Sequence, residues 1–226
     1  DMRADYHVHT AFSDDSDYPM EQVVRDAIAL GLEELCFTDH VDYGIKTDWD
    51  EPEAMRYRKG GPGEPDEIPL ANVDYPAYYE TFQKMRSLYG DRIALKLGLE
   101  FGMQRHTVLK YEDLFARYPF DFILLSVHEI DDKEFWNQDL QKGKTQKDYN
   151  RQYYEELLYL VQCYHHYSVL GHMDLITRYD LSGVYPFKRL RPILTEILKT
   201  VIADGKGIEV NTSCHRYGLA DLTPSR

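Results

Sequence analysis

A chain of 226 residues with 43% hydrophobic content is long enough for a sizeable core, which excludes the disordered, collagenous and coiled-coil classes. Its 26 Lys+Arg against 39 Asp+Glu leave a formal charge of −13, so the chain as a whole repels phosphate backbones and anionic membranes, and neither nucleic acid nor membrane is expected as a partner. Cys36, Cys163 and Cys214 are far apart without CxxC spacing, the N-terminal Asp1-Met2-Arg3-Ala4-Asp5 has no apolar leader and no apolar run reaches membrane-spanning length, which together point to reduced thiols in a cytoplasmic protein.

In chain order, Ala4–Val8 reads as a strand and Pro19–Leu30 as a helix, with Pro19 in its first turn and Gly31 just past its end. Glu34–Thr38 is the next strand, Tyr75–Leu88 a helix, Ile93–Phe101 a strand, Tyr111–Arg117 a helix and Phe120–Val127 a strand. Asp148–Tyr167 is a helix, Ser168–Met173 a strand, Leu190–Ala203 a helix closed by Gly205, and Gly207–Thr212 a strand. Short apolar runs alternating with segments of helical period predict an α/β fold with parallel strands and crossover helices. Residues 1–226 read as a single domain. Val41–Asp74, rich in Pro and Gly, reads as a loop insertion, and Ile130–Lys147 is a second long connection; loops of this length are commonly functional.

Nearly every strand finishes in a metal-type ligand. His7 and His9 follow the first, His40 the second, Glu100 lies near the end of the third, and His128 and His172 close the fourth and fifth. The C-terminal ends of parallel strands open onto one face, so these side chains are expected to converge. Imidazoles and carboxylates without thiolate suit Zn²⁺, Mn²⁺ or Fe²⁺, and two or three ions need about this many ligands. A lone HxH pair says little. Five of nine histidines at strand ends say much more.

These segments carry a family resemblance. Asp5-Tyr6-His7-Val8-His9-Thr10, Phe37-Thr38-Asp39-His40, Gly98-Leu99-Glu100, Ser126-Val127-His128 and Gly171-His172-Met173-Asp174 resemble the successive motifs of the PHP (polymerase and histidinol phosphatase) superfamily, histidinol-phosphate phosphatase branch. The resemblance implies a distorted (β/α)7 TIM-like barrel, the PHP fold, with a trinuclear site that hydrolyses a phosphomonoester in histidine biosynthesis. It implies His7, His9 and Glu100 on a first metal, Glu100 bridging to a second held by His128 and His172, and a third on His40 and Asp15. Asp15 stands where the family often has histidine, and Asp14 is the alternative; the run Asp14-Asp15-Ser16-Asp17 also suits the approach to a helix N-terminus. The family's closing Asp-x-His does not occur before Arg226, and Thr223-Pro224-Ser225 reads as a helix opening without a body. The barrel is therefore expected to be C-terminally incomplete in this chain.

Clustered divalent ions would activate a metal-bound water and neutralise phosphoryl oxygens, so no protein nucleophile is needed. Arg178 and Arg216, both after strand ends, are the expected phosphate ligands because guanidinium binds oxyanions bidentately. His215 is a candidate general acid or substrate contact. Asp39 and Asp174 are expected to orient imidazoles or support strand ends. Two other readings fit: a PHP phosphoesterase for another small phosphate ester or nucleotide, and a non-catalytic PHP module.

Overall fold

Residues 2–210 are described by a computed structural model; Cys214, His215, Arg216 and the Thr223-Pro224-Ser225 segment lie outside the described residues. The elements in chain order are β1 (Ala4–Val8), α1 (Met20–Ala29), β2 (Glu34–Val41), β3 (Tyr57–Lys59), β4 (Glu67–Pro69), α2 (Tyr75–Tyr89), β5 (Ala94–Gly102), α3 (Val108–Arg117), β6 (Phe122–Ser126), β7 (Glu129–Ile130), β8 (Lys133–Glu134), α4 (Gln146–Cys163), β9 (Val169–Leu170), α5 (Phe187–Ala203) and β10 (Gly207–Ile208). Local chemistry explains the helix boundaries. Asp74 caps α2 by accepting from Ala77 N, and Thr145 caps α4 by accepting from Asp148 N. Pro19 precedes α1 rather than lying in its first turn, and Gly31 after it has φ 76°, a left-handed conformation that glycine adopts without strain.

The chain divides into two compact units, Asp1–Glu100 with Glu112–Ile123, and Phe101–Tyr111 with Leu124–Arg226. In the first, neighbouring strands run in the order β1-β2-β5-β6. β1 pairs with β2 in parallel, Ala4 opposite Glu34 and Val8 opposite Phe37, with a ladder irregularity between Asp5 and Val8. Leu35, Cys36 and Phe37 are buried together with Leu97 and Leu99, and α1 and α2 pack beside each other, α1 burying Met20, Val24 and Ala27 at helical spacing. Gly98 is required by proximity: a β-carbon there would lie 2.7 Å from Phe122 O and 2.8 Å from Phe37 O, closer than real contacts allow.

In the second unit the order is β5-β6-β9-β10. Leu124 and Leu125 of β6 face Val169 and Leu170 of β9 in parallel, and β9 pairs likewise with Gly207 and Ile208 of β10. α4 packs on α5, and the stripe Tyr153, Leu157, Leu160 and Tyr164 is buried, as its spacing requires.

Three further expectations need correction. The strand expected over Ser168–Met173 is only Val169–Leu170. Gly171 N still bonds Leu125 O at 2.8 Å, but Leu175 N then closes a turn on His172 O at 3.1 Å, so Gly171–Met173 are buried without being strand. Val41–Asp74 contains a β3–β4 hairpin with Arg58 opposite Ile68. Ile130–Lys147 begins in a β7–β8 hairpin turned by Asp131 and Asp132, with φ 51° and 58°.

Candidate metal centre

Within the first unit the carboxyl ends of β1, β2 and β5 deliver His7, His9, His40 and Glu100. Glu100 is 1% exposed, and its Oε1 lies 2.6 Å from His7 Nε2 and 3.9 Å from His9 Nε2 while its Oε2 lies 2.9 Å from His40 Nδ1. Asp15 Oδ2 lies 3.0 Å from His9 Nδ1 and 3.1 Å from His40 Nε2. His9 and His40 thus each face two carboxylates through their two ring nitrogens. His7 and His9, two apart on an extended chain, leave from the same side with ring centroids 5.1 Å apart.

The donors fit a cation. His7, His9 and Glu100 form one group and His9, Asp15 and His40 another, with ligand atoms in each group within 4.8 Å of one another, close to the span of two metal–ligand bonds of ~2.1 Å. His9 Nε2 is buried without a hydrogen-bond partner, and a buried polar atom in that state calls for one. Burial alone would raise the Asp15 carboxyl, but hydrogen bonds from His40 and His9, and their charge, hold it well below the usual carboxylate range. Burial would likewise lower the His40 imidazole, but the charge of Glu100 and hydrogen bonds with Asp15 and Glu100 hold it well above its ordinary value. The cluster therefore favours positive charge.

The turn that carries Asp15 is tied to β2. The buried Asp39 carboxylate accepts from Thr10 N at 2.6 Å, Thr10 Oγ1 at 3.0 Å and Ser13 Oγ at 2.6 Å, and Ser13 Oγ in turn accepts from His40 N at 2.9 Å. Asp39 thus orders the turn beside the ligands through these bonds. Asp14 is engaged elsewhere: Lys46 Nζ, itself 3.1 Å from Asp42 Oδ2, lies 3.0 Å from Asp14 Oδ1. Of the two candidate carboxylates, Asp15 is the one facing His9 and His40. Lys46 was missed by sequence reasoning. Its one local signal is the i,i+4 spacing from Asp42, since Asp14 is distant in sequence.

In the second unit, His128 and His172 stand together with ring centroids 5.3 Å apart. Gly171 permits this approach of β9 to β6, because a β-carbon there would lie 2.9 Å from Ser126 Oγ and 3.2 Å from Leu124 Cδ1. Tyr153, fully buried, donates its hydroxyl to His172 O at 3.3 Å and accepts from Leu175 N at 3.2 Å. Arg178 lies on the 3-10 turn Leu175–Tyr179 that follows. Burial pushes the Asp174 carboxyl up to about 6, with the nearby Arg178 charge opposing. Two histidines that the strand-end pattern did not select, His106 and His165, pair with Asp132 and Asp204 at the surface, at 2.9 and 2.8 Å.

The PHP domain family model matches residues 5–213. This chain belongs to the PHP family. Among PHP relatives, the histidinol-phosphatase of Lactococcus lactis subsp. lactis (strain IL1403) is 32% identical over 216 residues, spanning 93% of this chain and 71% of that protein. The crystal structure of the Lactococcus lactis histidinol phosphate phosphatase, complexed with zinc, L-histidinol and phosphate, matches with a TM-score of 0.76 at 31% identity, covering 93% of this chain and 73% of that one. A Listeria monocytogenes structure shares the PHP fold with a TM-score of 0.74 at 17% identity, covering 99% of this chain and 88% of that one. The α/β class and the resemblance read from the strand-end motifs are those of the family. No helix among the described residues is long and apolar enough to cross a membrane.

Proposed function

We propose that this chain is a metal-dependent phosphomonoester hydrolase of the histidinol-phosphatase kind, converting L-histidinol phosphate and water to L-histidinol and phosphate in histidine biosynthesis. Its ligands are His7, His9, Asp15, His40 and Glu100 in the first unit and His128 and His172 in the second, for two or three divalent ions of zinc, manganese or iron. The observation that carries this reading is the buried Glu100 carboxylate with three imidazoles within 4 Å, an arrangement with little structural purpose unless a cation is shared among them. Bound divalent ions supply Lewis acidity toward phosphoryl oxygens and a nucleophile near neutral pH. The chain itself positions and selects. Glu100 and Asp15 supply the anionic charge that concentrates cations, Asp39 fixes the turn that presents Asp15, and Arg178 holds a phosphoryl oxygen by charge-assisted hydrogen bonds. The Lactococcus relative's complex with zinc, L-histidinol and phosphate supports the same substrate and metal class here.

The test is phosphate release by the purified protein from L-histidinol phosphate, nucleotides and sugar phosphates, alongside metal analysis. A preference for L-histidinol phosphate of at least tenfold in kcat/KM, lost on chelation and restored by zinc or manganese, is expected. Equal turnover across the panel, or activity that survives complete metal removal, would overturn the reading.

A further inference from the structure

Arg178 sits on a segment held at both ends. At the His172 end, Tyr153 and Leu175 N bond as described. Two further tight turns follow, Thr177 N to Asp174 O at 3.0 Å and Asp180 N to Thr177 O at 3.4 Å. At the far end, Tyr179 O accepts from Gln138 Nε2 at 2.8 Å and Gln141 Nε2 at 3.2 Å, and the same two amides reach Phe135 O at 3.4 and 3.1 Å. The next residue is bound more densely still. Asp180 Oδ2 accepts from Gln146 Nε2 at 3.1 Å and Asn150 Nδ2 at 3.2 Å, and Oδ1 accepts from the Tyr149 hydroxyl and from Ser182 N at 3.0 Å. Six donors converge on two consecutive residues.

A plain surface turn satisfies its carbonyls with water. Here the protein builds its own donors at some cost. Gln138 holds φ 67°, a left-handed backbone that a non-glycine residue keeps only where its surroundings over-determine it. Gln141 is 7% exposed and leaves its Oε1 buried without a hydrogen-bond partner, so its amide is oriented for the sake of the two carbonyls that Nε2 serves. A cavity of about 450 Å³ lined by Gln138, Gln141, Tyr149, Leu181 and Ser182 adjoins these contacts. Directed hydrogen bonds, more than close packing, hold the turn on that side.

We infer that Gln138, Gln141 and Asp180 are positioning residues for Arg178, fixing the turn after His172 so that the guanidinium meets the phosphoryl group at a set distance from the His172 ligand. This rests on the assignment of Arg178 to phosphate in the proposed function. The three act through Arg178 and touch no reacting atom themselves.

The experiment is a double-mutant cycle on the metal-loaded protein with L-histidinol phosphate as substrate and inorganic phosphate as competitive inhibitor. R178A is expected to raise KM and the phosphate Ki together. D180A is expected to raise both in the wild-type background, for a loss of roughly 10- to 100-fold in kcat/KM, the scale set by misplacement of about an ångström. D180N keeps Oδ1 for Tyr149 and Ser182 but turns Oδ2 into a donor facing Gln146 and Asn150, so it should recover only part of that loss. In the R178A background D180A should add less than about twofold, because nothing remains to position. Two results overturn the inference: a D180A loss as large in R178A as in wild type, or unchanged KM and Ki in D180A while R178A raises both. An R178A protein with unchanged KM and Ki removes the phosphate assignment itself, and that failure is read from the single variant alone. Should D180A lose its cooperative melting transition, D180N and Q141L carry the same cycle.

Discussion

The two units hold their candidate ligands by different physical means. In the first, charge does the work: Glu100 and Asp15 are set against His7, His9 and His40 at 2.6 to 3.9 Å, and a second buried carboxylate, Asp39, ties down the turn between them. In the second, the candidate ligands His128 and His172 are imidazoles, and the chain after His172 is held by neutral donors, a buried tyrosine and side-chain amides. A charged ligand buried without its counter-charge is costly, so the first unit should respond strongly to metal and to loss of charge. A neutral ligand needs only geometry, so the second unit should respond in KM before it responds in stability.

The sharpest way to break this contrast is Glu100→Ala. It removes the group that three imidazoles share, and we expect roughly a 10³-fold loss in kcat/KM, the equivalent of several kcal/mol of lost charge stabilisation, with loss of bound metal by elemental analysis. Full metal content in the variant would show that Glu100 is not the hub. Asp39→Asn comes next. It keeps the shape but turns one acceptor into a donor facing Thr10 and Ser13, and a destabilisation of about 1–3 kcal/mol by denaturant titration should accompany weaker metal retention; a stability loss with metal affinity unchanged would detach the turn from the ligands. Gly98→Ala tests close approach instead of charge, forcing a methyl group against Phe122 O and Phe37 O, and should cost about 1–3 kcal/mol. An unchanged melting temperature would mean the strands yield more easily than their spacing suggests. The smallest effect on stability is expected from deleting residues 58–65, the last two residues of β3 and most of the connection to β4. Within ~0.5 kcal/mol the fold should be indifferent, while KM for L-histidinol phosphate should change several-fold if the insertion selects substrate. Unchanged kinetics across several phosphomonoesters would leave the hairpin a surface feature.

What was legible in the sequence was what is local. Glu34–Thr38 and Ile93–Phe101 announce themselves as strands through the short buried runs Leu35-Cys36-Phe37 and Leu97-Gly98-Leu99, and His40 and Glu100 are conspicuous because polar residues at the end of such runs are otherwise unfavourable. The β9 strand was overread for the same reason: Gly171–Met173 are as buried as a strand, yet burial has no period of its own by which a turn is told apart. The contacts of Lys46 with Asp14, and of Gln138 and Gln141 with Tyr179, join residues about thirty to forty positions apart. No window of sequence contains both partners. In Ile130–Lys147 the only trace of the amide pair was an unusual density of Asn and Gln in a segment without apolar rhythm.

The close approach at Gly98 has a consequence for chemical labelling. The Cys36 sulfur lies 3.0 Å from where a Gly98 β-carbon would stand; it is fully buried, and burial, followed by the charges of Asp121 and Glu34, raises its thiol well above the ordinary cysteine value. Cys163 is exposed. A small alkylating reagent should therefore modify Cys163 on the native protein at once and reach Cys36 only through molecules in which the first unit has opened, since thiolate and access are both needed. The rate of Cys36 modification, followed by mass on the peptide that carries it so that Cys163 and Cys214 are counted separately, is then a clock for opening of that unit, and occupancy of the metal centre should slow it.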